Sequence, residues 1–375
     1  MNRLTKSINT IFQKKRSWVD EMGHKAKGEK IRVTINEVAK KANVSKTTVS
    51  RYLNGKYEYM SEETKELLGT VIAQLGYRPS NLARSLKAKN SGVIGCTIAD
   101  IGSPFSSIVL KGISDYCKQL GYNVLFANIG NDSINEIESI QSLLDNKVDG
   151  LIINTTGKND DYLLSLKNEG IKIVLTDRSL SKPNLLDTVA TNNYEATFDL
   201  VKYLYEQGYK RVAFFTQDMT VISSRYQRHK GFKDAMRKFF NMDGDLTTYV
   251  VELDDPQNTD DSLRKFVSVS KGEPAAIFTV NGVTLLTVLH GMQRLNIEIS
   301  PQLGICGFDD WGWASLIPPG ITTLTQESYE CGVQSAKLLI ERIKEQGEFE
   351  PKYIELPAQL VKRGSTDPKA INGGG

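Results

Sequence analysis

Histidine is scarce in this chain: three in 375 residues, His24, His229 and His290, in unrelated contexts. No histidine-centred catalytic or metal grouping can be built from them. Cysteine is nearly as rare. Cys96, Cys117, Cys306 and Cys331 lie far apart and match no metal-ligand spacing, so they are expected to be reduced thiols in a cytoplasmic protein. No apolar run approaches the roughly 20 residues that span a bilayer. The basic start, with Arg3, Lys6, Lys14, Lys15 and Arg16, lacks the continuous apolar stretch of a secretory signal. There is neither a Walker-type glycine loop nor a GxSxG elbow. One Ser-x-x-Lys match, Ser268 to Lys271, lies in a polar stretch before Gly272 and reads as coincidence. These absences leave no expected catalytic residue, cofactor, metal or membrane span.

What is present begins with uneven charge. The whole chain carries a net charge of only +3, but residues 1–90 hold 19 Lys+Arg against 8 Asp+Glu, while the remainder is net acidic by 8. Confining the count to 31–89 still leaves 11 basic against 5 acidic side chains. A basic front on an acidic body points to a polyanion as the partner of the first segment. Residues 1–31 are polar and basic, and are expected to be a disordered extension.

From residue 32 to 78 the apolar spacing is helical in three short runs. After Gly92 the pattern changes to alternating apolar strands and amphipathic helices. Strands are expected near Val93–Ile98, Asn123–Ala127, Gly150–Asn154, Lys172–Thr176, Arg211–Phe215, Thr248–Glu252, Ala275–Val280 and Gly304–Phe308. Helices are expected over stretches such as Ser107–Leu120, Ile134–Leu144, Asp161–Glu169 and Tyr194–Gln207. That order predicts an α/β fold with parallel sheets. About ten strands in two recurring halves predicts two doubly wound lobes, with a ligand in the crevice facing the strands' C-terminal ends. The first lobe is assigned 92–191 and 325–349, the second 192–322 and 350–365, and 366–375 a flexible tail.

The helical segment reads TINEVAKKANVSKTTVSRYLNG from Thr34 to Gly55. Ala39 is the small residue that two crossing helices need. Asn43 stands where the turn needs positive φ, which asparagine tolerates. Ser45 caps the next helix, Val49 packs it inward, and Lys46, Thr47, Thr48, Ser50 and Arg51 are left facing outward. Ser61 caps a third helix that ends at Gly76. A basic, hydroxyl-rich helix N-terminus in a basic segment suits phosphates and base edges in a major groove. A plain three-helix bundle is the competing reading, and the ordering of these features goes against it.

The stretch VTINEVAKKANVSKTTVSRYLNG, followed by ETKELLGTVIAQLGYRPSNLARSLK, resembles the amino-terminal signature of the LacI/GalR repressors. The resemblance continues through IGCTIADIGSPFSS, VDGLIIN, VLTDR, YQRHKGF, LGICGFDD and ITTLTQ to about Gly364. It implies base readout by Lys46, Thr47 and Arg51, and phosphate contacts by Thr34, Ser45, Thr48, Ser50, Asn54 and Tyr77. It also implies a hinge helix over Asn81–Lys87, with Arg84 on it and with Leu86 wedged into the minor groove. The hinge and linker are assigned 79–91.

In the sensor the resemblance implies effector contacts at Phe105, Ser106, Asn154, Asp177, Arg178, Arg228, Asn281 and Asp309. Arg225 can also approach the cleft, and Trp311 offers an aromatic face. Two departures bear on the ligand. Ser106 stands where purine-binding members stack an aromatic ring, and Gly282 replaces the more usual aspartate after Asn281. Three arginines favour an anionic ligand, and the chain is similar to the branch regulating ketodeoxygluconate or sugar-acid catabolism. A periplasmic-type sugar carrier with no DNA role is the alternative, but it would need an export signal and no DNA reader. The expected protein is therefore a cytoplasmic repressor of a carbohydrate catabolic operon, homodimeric on pseudo-palindromic operator DNA. A small sugar or sugar acid controls it, and a phosphocarrier protein corepressor is left open as a further partner.

Overall fold

The computed structural model describes residues 33–77, 90–270, 272–300, 302–345, 347 and 349–367. The described residues fall into two compact units, taken here one at a time. The basic extension, Asn81, Arg84 and Leu86 of the hinge, and the chain after 367 lie outside the described residues.

The amino-terminal unit is three helices, α1 (Ile35–Lys41), α2 (Lys46–Leu53) and α3 (Glu62–Leu75). Each has a hydroxyl cap. Thr34 and Glu37 form a reciprocal capping box on α1, Ser45 accepts from the Thr48 amide on α2, and Ser61 accepts from the Thr64 amide on α3. Asn43 takes φ 51° in the α1–α2 turn, and Gly76 takes φ 58° to end α3. Val38, Ala39, Val49, Leu68 and Val71 make the small core.

The second unit contains two six-stranded sheets. Its elements are β1 (Val93–Ile98), α4 (Pro104–Gln119), β2 (Asn123–Asn128), α5 (Ser133–Asp145), β3 (Gly150–Ile153), α6 (Asp160–Asn168), β4 (Ile173–Thr176) and β5 (Asp187–Thr191). Then come α7 (Asn193–Glu206), β6 (Arg211–Thr216), α8 (Ser223–Ala235), β7 (Thr248–Val250), α9 (Pro256–Ser270), β8 (Ala275–Thr279) and α10 (Gly282–Arg294). The chain closes with β9 (Leu303–Phe308), β10 (Thr322–Thr325), α11 (Ser328–Lys344), β11 (Tyr353–Leu356) and β12 (Gln359–Val361). The first sheet runs β11-β5-β4-β3-β1-β2 and is parallel throughout. The second runs β12-β10-β9-β8-β6-β7, parallel except for the β10–β12 pair. Central strands such as β3, β4 and β8 are buried along their whole length, as sheets covered by helices on both faces require.

The chain crosses between lobes three times: after β5, after β10, and between β11 and β12. This corrects one assignment. Residues 353–356, expected in the second lobe, pair with Thr188–Thr191 of the first. The cause is Asp187. Its carboxylate accepts from Arg342 Nε at 2.8 Å, Arg342 Nη2 at 3.0 Å and the Lys352 amide at 2.7 Å, which draws the end of α11 and the start of β11 onto β5. The expected flexible tail also starts too early. Thr366 is fully buried, with its hydroxyl between Thr322 and Tyr203.

Candidate functional site

On the headpiece, α2 presents Lys46, Thr47 and Arg51 as exposed side chains, while Val49 is buried in the core. Thr34, Ser45, Thr48, Ser50 and Asn54, also assigned to DNA, are already hydrogen-bonded within the unit. Ser45 and Thr48 share their hydroxyls at 2.8 Å, Asn54 Nδ2 donates to the Ser50 carbonyl at 2.8 Å, and Thr34 is held in its capping box. Tyr77 is half-buried against the headpiece core. One neighbour was not singled out in the sequence. The Arg51 guanidinium lies 5.4 Å over the ring of Tyr59, an exposed side chain in the α2–α3 connection.

In the sensor, all ten residues assigned to the effector line one cavity of about 150 Å³ between the lobes. The first lobe contributes Phe105 and Ser106 from the first turn of α4, Asn154 after β3, and Asp177 and Arg178 after β4. The second contributes Arg225 and Arg228 from α8, Asn281 at the cap of α10, and Asp309 and Trp311 after β9. A larger open groove of about 920 Å³ runs alongside and shares only Ile222 with this cavity. The small cavity is the candidate site, because the buried charges converge there and the groove is lined by no arginine.

The two lobes furnish the cavity in a related way. Asp177 and Asp309 each follow the fourth strand of their lobe, at φ 65° and 75°. The amide of each donates to the next strand, to Val189 and Leu324, both at 2.8 Å. Positive φ turns both carboxylates off the strand ends and into the crevice, a strained backbone of the kind found at functional sites.

The arginines differ in how they are held. Arg228 is almost completely buried, with Nε donating to Asn193 Oδ1 and Nη1 to the Val280 carbonyl, both at 2.7 Å. Its guanidinium carbon lies 3.5 Å from the Phe308 ring centroid. Two of its five N–H donors are therefore engaged by the protein before any ligand arrives. Arg178 Nη1 donates to Asn131 Oδ1 at 3.0 Å and to the Thr155 carbonyl at 2.9 Å. Its Nε is buried with no hydrogen-bond partner, 3.7 Å from Asp177 Oδ2. Arg225 donates Nη1 to the Asp218 carbonyl at 2.8 Å. Burial, then the Arg178 and Arg228 charges, push its pKa down to about 10. Burial also lowers Arg178 and Arg228, and it raises Asp309.

Polar side chains complete the wall. Asn154 Nδ2 donates to the Thr176 carbonyl and to Asp177, and Asn281 caps α10 while donating to Gln217. Gln326 donates to Asp309 and accepts from Thr191. Gln326, Gln217 and Asn131 were missed in the sequence. Gln326 closes the quoted ITTLTQ motif and could have been found there, while the other two follow strands β6 and β2 with no distinguishing spacing. The residue after Asn281 is explained by geometry. A Cβ on Gly282 would lie 2.6 Å from the Trp311 indole, which occupies the space a side chain there would need.

Comparison with known proteins matches this arrangement. Residues 34–80 match the model of bacterial regulatory proteins of the lacI family, and residues 91–364 match that of periplasmic binding proteins and the sugar binding domain of the LacI family. The chain belongs to the LacI family. It is a DNA-binding transcription regulator with an effector domain of the sugar-binding type, and not an enzyme. It is 38% identical over 333 residues to the HTH-type transcriptional regulator KdgR of Bacillus subtilis, covering 88% of this chain and 97% of that one. It is 34% identical to PtxS of Pseudomonas aeruginosa, over 90% of this chain and 97% of the other. In fold it resembles a lac repressor dimer bound to operator and an anti-inducer, with a TM-score of 0.76 at 22% identity over 89% of this chain and 99% of that one. No described helix is long and apolar enough to cross a membrane.

Proposed function

We propose that this regulator is a homodimeric repressor of a sugar-acid catabolic operon, and that its effector is a small polyhydroxylated carboxylate held in the inter-lobe cavity. One observation carries the ligand class. Three guanidinium groups, Arg178, Arg225 and Arg228, converge on a cavity of about 150 Å³ whose carboxylates are Asp177 and Asp309, both buried, and Asp100, which is exposed at its rim. Arg225 is in no ion pair among the described residues, so a neutral hexose would leave its guanidinium without a close anionic partner. An acid supplies that partner, while Asn154, Gln217 and Gln326 suit its hydroxyls and Trp311 and Phe105 its carbon faces.

On the DNA side, Lys46, Thr47 and Arg51 read base edges, and Thr34, Ser45, Thr48, Ser50, Asn54 and Tyr77 meet the backbone. Asn81, Arg84 and Leu86 make the hinge. Effector binding changes lobe closure and so biases that hinge, with a coupling of about 1–3 kcal/mol typical of such systems. The test is a thermal-shift series on the full chain, pairing sugar acids with their neutral counterparts at equal concentration. The acids are expected to shift melting more, and equal shifts would remove the anionic effector from the reading.

A further inference from the structure

We infer that Arg178 of the first lobe and Arg225 of the second are two halves of one anion site, joined across the cleft by the effector's carboxylate. The inference rests on the acid-effector reading above and says where the charge sits and what it does.

The two side chains line the cavity from different lobes. Arg178 is fixed to its own lobe by Asn131 and the Thr155 carbonyl, and its buried Nε, on a residue only 8% exposed, donates to nothing. Arg225, half-buried in the first turn of α8, is tied to the second lobe by the Asp218 carbonyl and has no carboxylate within ion-pair distance among the described residues. Arg228 does not compete for this role, because Asn193, the Val280 carbonyl and the Phe308 ring already hold it. Asp309 is likewise held, by the Gly282 amide and Gln326. Asp177 lies beside Arg178 and accepts from Asn154. Arg225, whose attractive charges Asp218 and Asp177 lie beyond ion-pair distance, is therefore the guanidinium most open to a new anion, and it shares its cavity with Arg178.

Without an anion the two like charges share one cavity, and the Arg225 pKa is lowered by burial first and then by the Arg178 and Arg228 charges. A carboxylate has two oxygens and about four acceptor sites, enough to take one guanidinium from each lobe. Binding then joins the two like charges through a bridge. A neutral sugar can fill the same space without drawing the lobes together, so charge, beyond occupancy, sets the closure that reaches the hinge.

The test uses the full chain with Arg178→Gln, Arg225→Gln, Arg225→Lys and the double glutamine variant. The probes are D-gluconate, D-glucose and millimolar sulfate at constant ionic strength. Glutamine keeps a donor and removes the charge. Gluconate and sulfate are expected to raise the melting temperature of the wild type. Each glutamine variant should lose at least about tenfold in gluconate affinity, along with its sulfate shift. The double variant should lose little more than either single one, and Arg225→Lys should keep the sulfate response. Arg225→Gln, at the more exposed position, carries the test alone should Arg178→Gln fail to fold. Sulfate shifts that are equal in wild type and Arg225→Gln, or absent in the wild type, overturn the split site whatever the natural effector is. Gluconate acting equally on both overturns it while leaving the acid effector standing. Glucose outperforming gluconate in the wild type overturns the acid effector itself.

Discussion

Gly282 is required by the indole beside it, because its backbone adopts no conformation that favours glycine. A Cβ there would meet Trp311 Cη2, Cζ3 and Cζ2 at 2.6, 2.8 and 2.9 Å, all on one rigid ring. Gly282→Ala should therefore cost about 1–3 kcal/mol as an overpacking change, despite the gain in helix propensity at the start of α10. Trp311→Ala should remove most of that penalty. A double-mutant cycle by chemical denaturation reads the coupling, and strictly additive effects would mean the ring does not hold that space. The same contact leaves no room at 282 for the aspartate that is more usual after Asn281. The carboxylate and the indole exclude each other, so the chain has exchanged an acceptor for an aromatic wall.

At the scale of elements, α2 and β11 show what the sequence discloses and what it hides. The DNA reader was legible because its signals are local: Asn43 in the turn, Ser45 at the cap, Val49 inward, all within seven residues. On that helix, Arg51→Ala should abolish preference for operator over random DNA. It should leave a weak, salt-sensitive association, since backbone contacts survive the loss of a base-reading side chain. Binding assays on both DNAs across a salt series check this, and an equal loss on each would count against it. The placement of β11 was not legible, because it depends on Asp187, more than 150 positions away from both Arg342 and Lys352. Asp187 and Arg342 are 0% and 4% exposed at the side chain. Removing one partner of a buried pair strands the other, so Asp187→Ala should cost about 3–5 kcal/mol. Thermal unfolding measures that cost, and a loss under about 1 kcal/mol would mean that the β-pairing alone holds the strand. Burial of whole strands and alternation with helices disclosed the two-lobed sheets. The positive φ of Asp177 and Asp309, and the engagement of Arg228, belong to tertiary geometry and leave no mark in spacing.

At the scale of the whole molecule, each sheet ends on one side in a strand with exposed apolar side chains, β2 in the first and β7 in the second. Leu125 and Phe126 on β2 are 38% and 49% exposed, and Val250 on β7 is 49% exposed. Exposed edges of this kind invite pairing unless something covers them. A second copy of the chain would cover both edges at once, and it would also bring a second DNA reader. The argument is then one of effective concentration. Two linked headpieces on two half-sites bind about 10²–10⁴ times more tightly than one. Phe126→Asp should therefore turn a dimer in sedimentation into a monomer and weaken operator binding by a factor in that range. Its effector-induced melting shift should survive, because Phe126 lines neither cavity. If the variant remains dimeric at micromolar concentration, the interface lies elsewhere. If it is monomeric yet binds operator as tightly as the wild type, one headpiece suffices and the paired-half-site account fails.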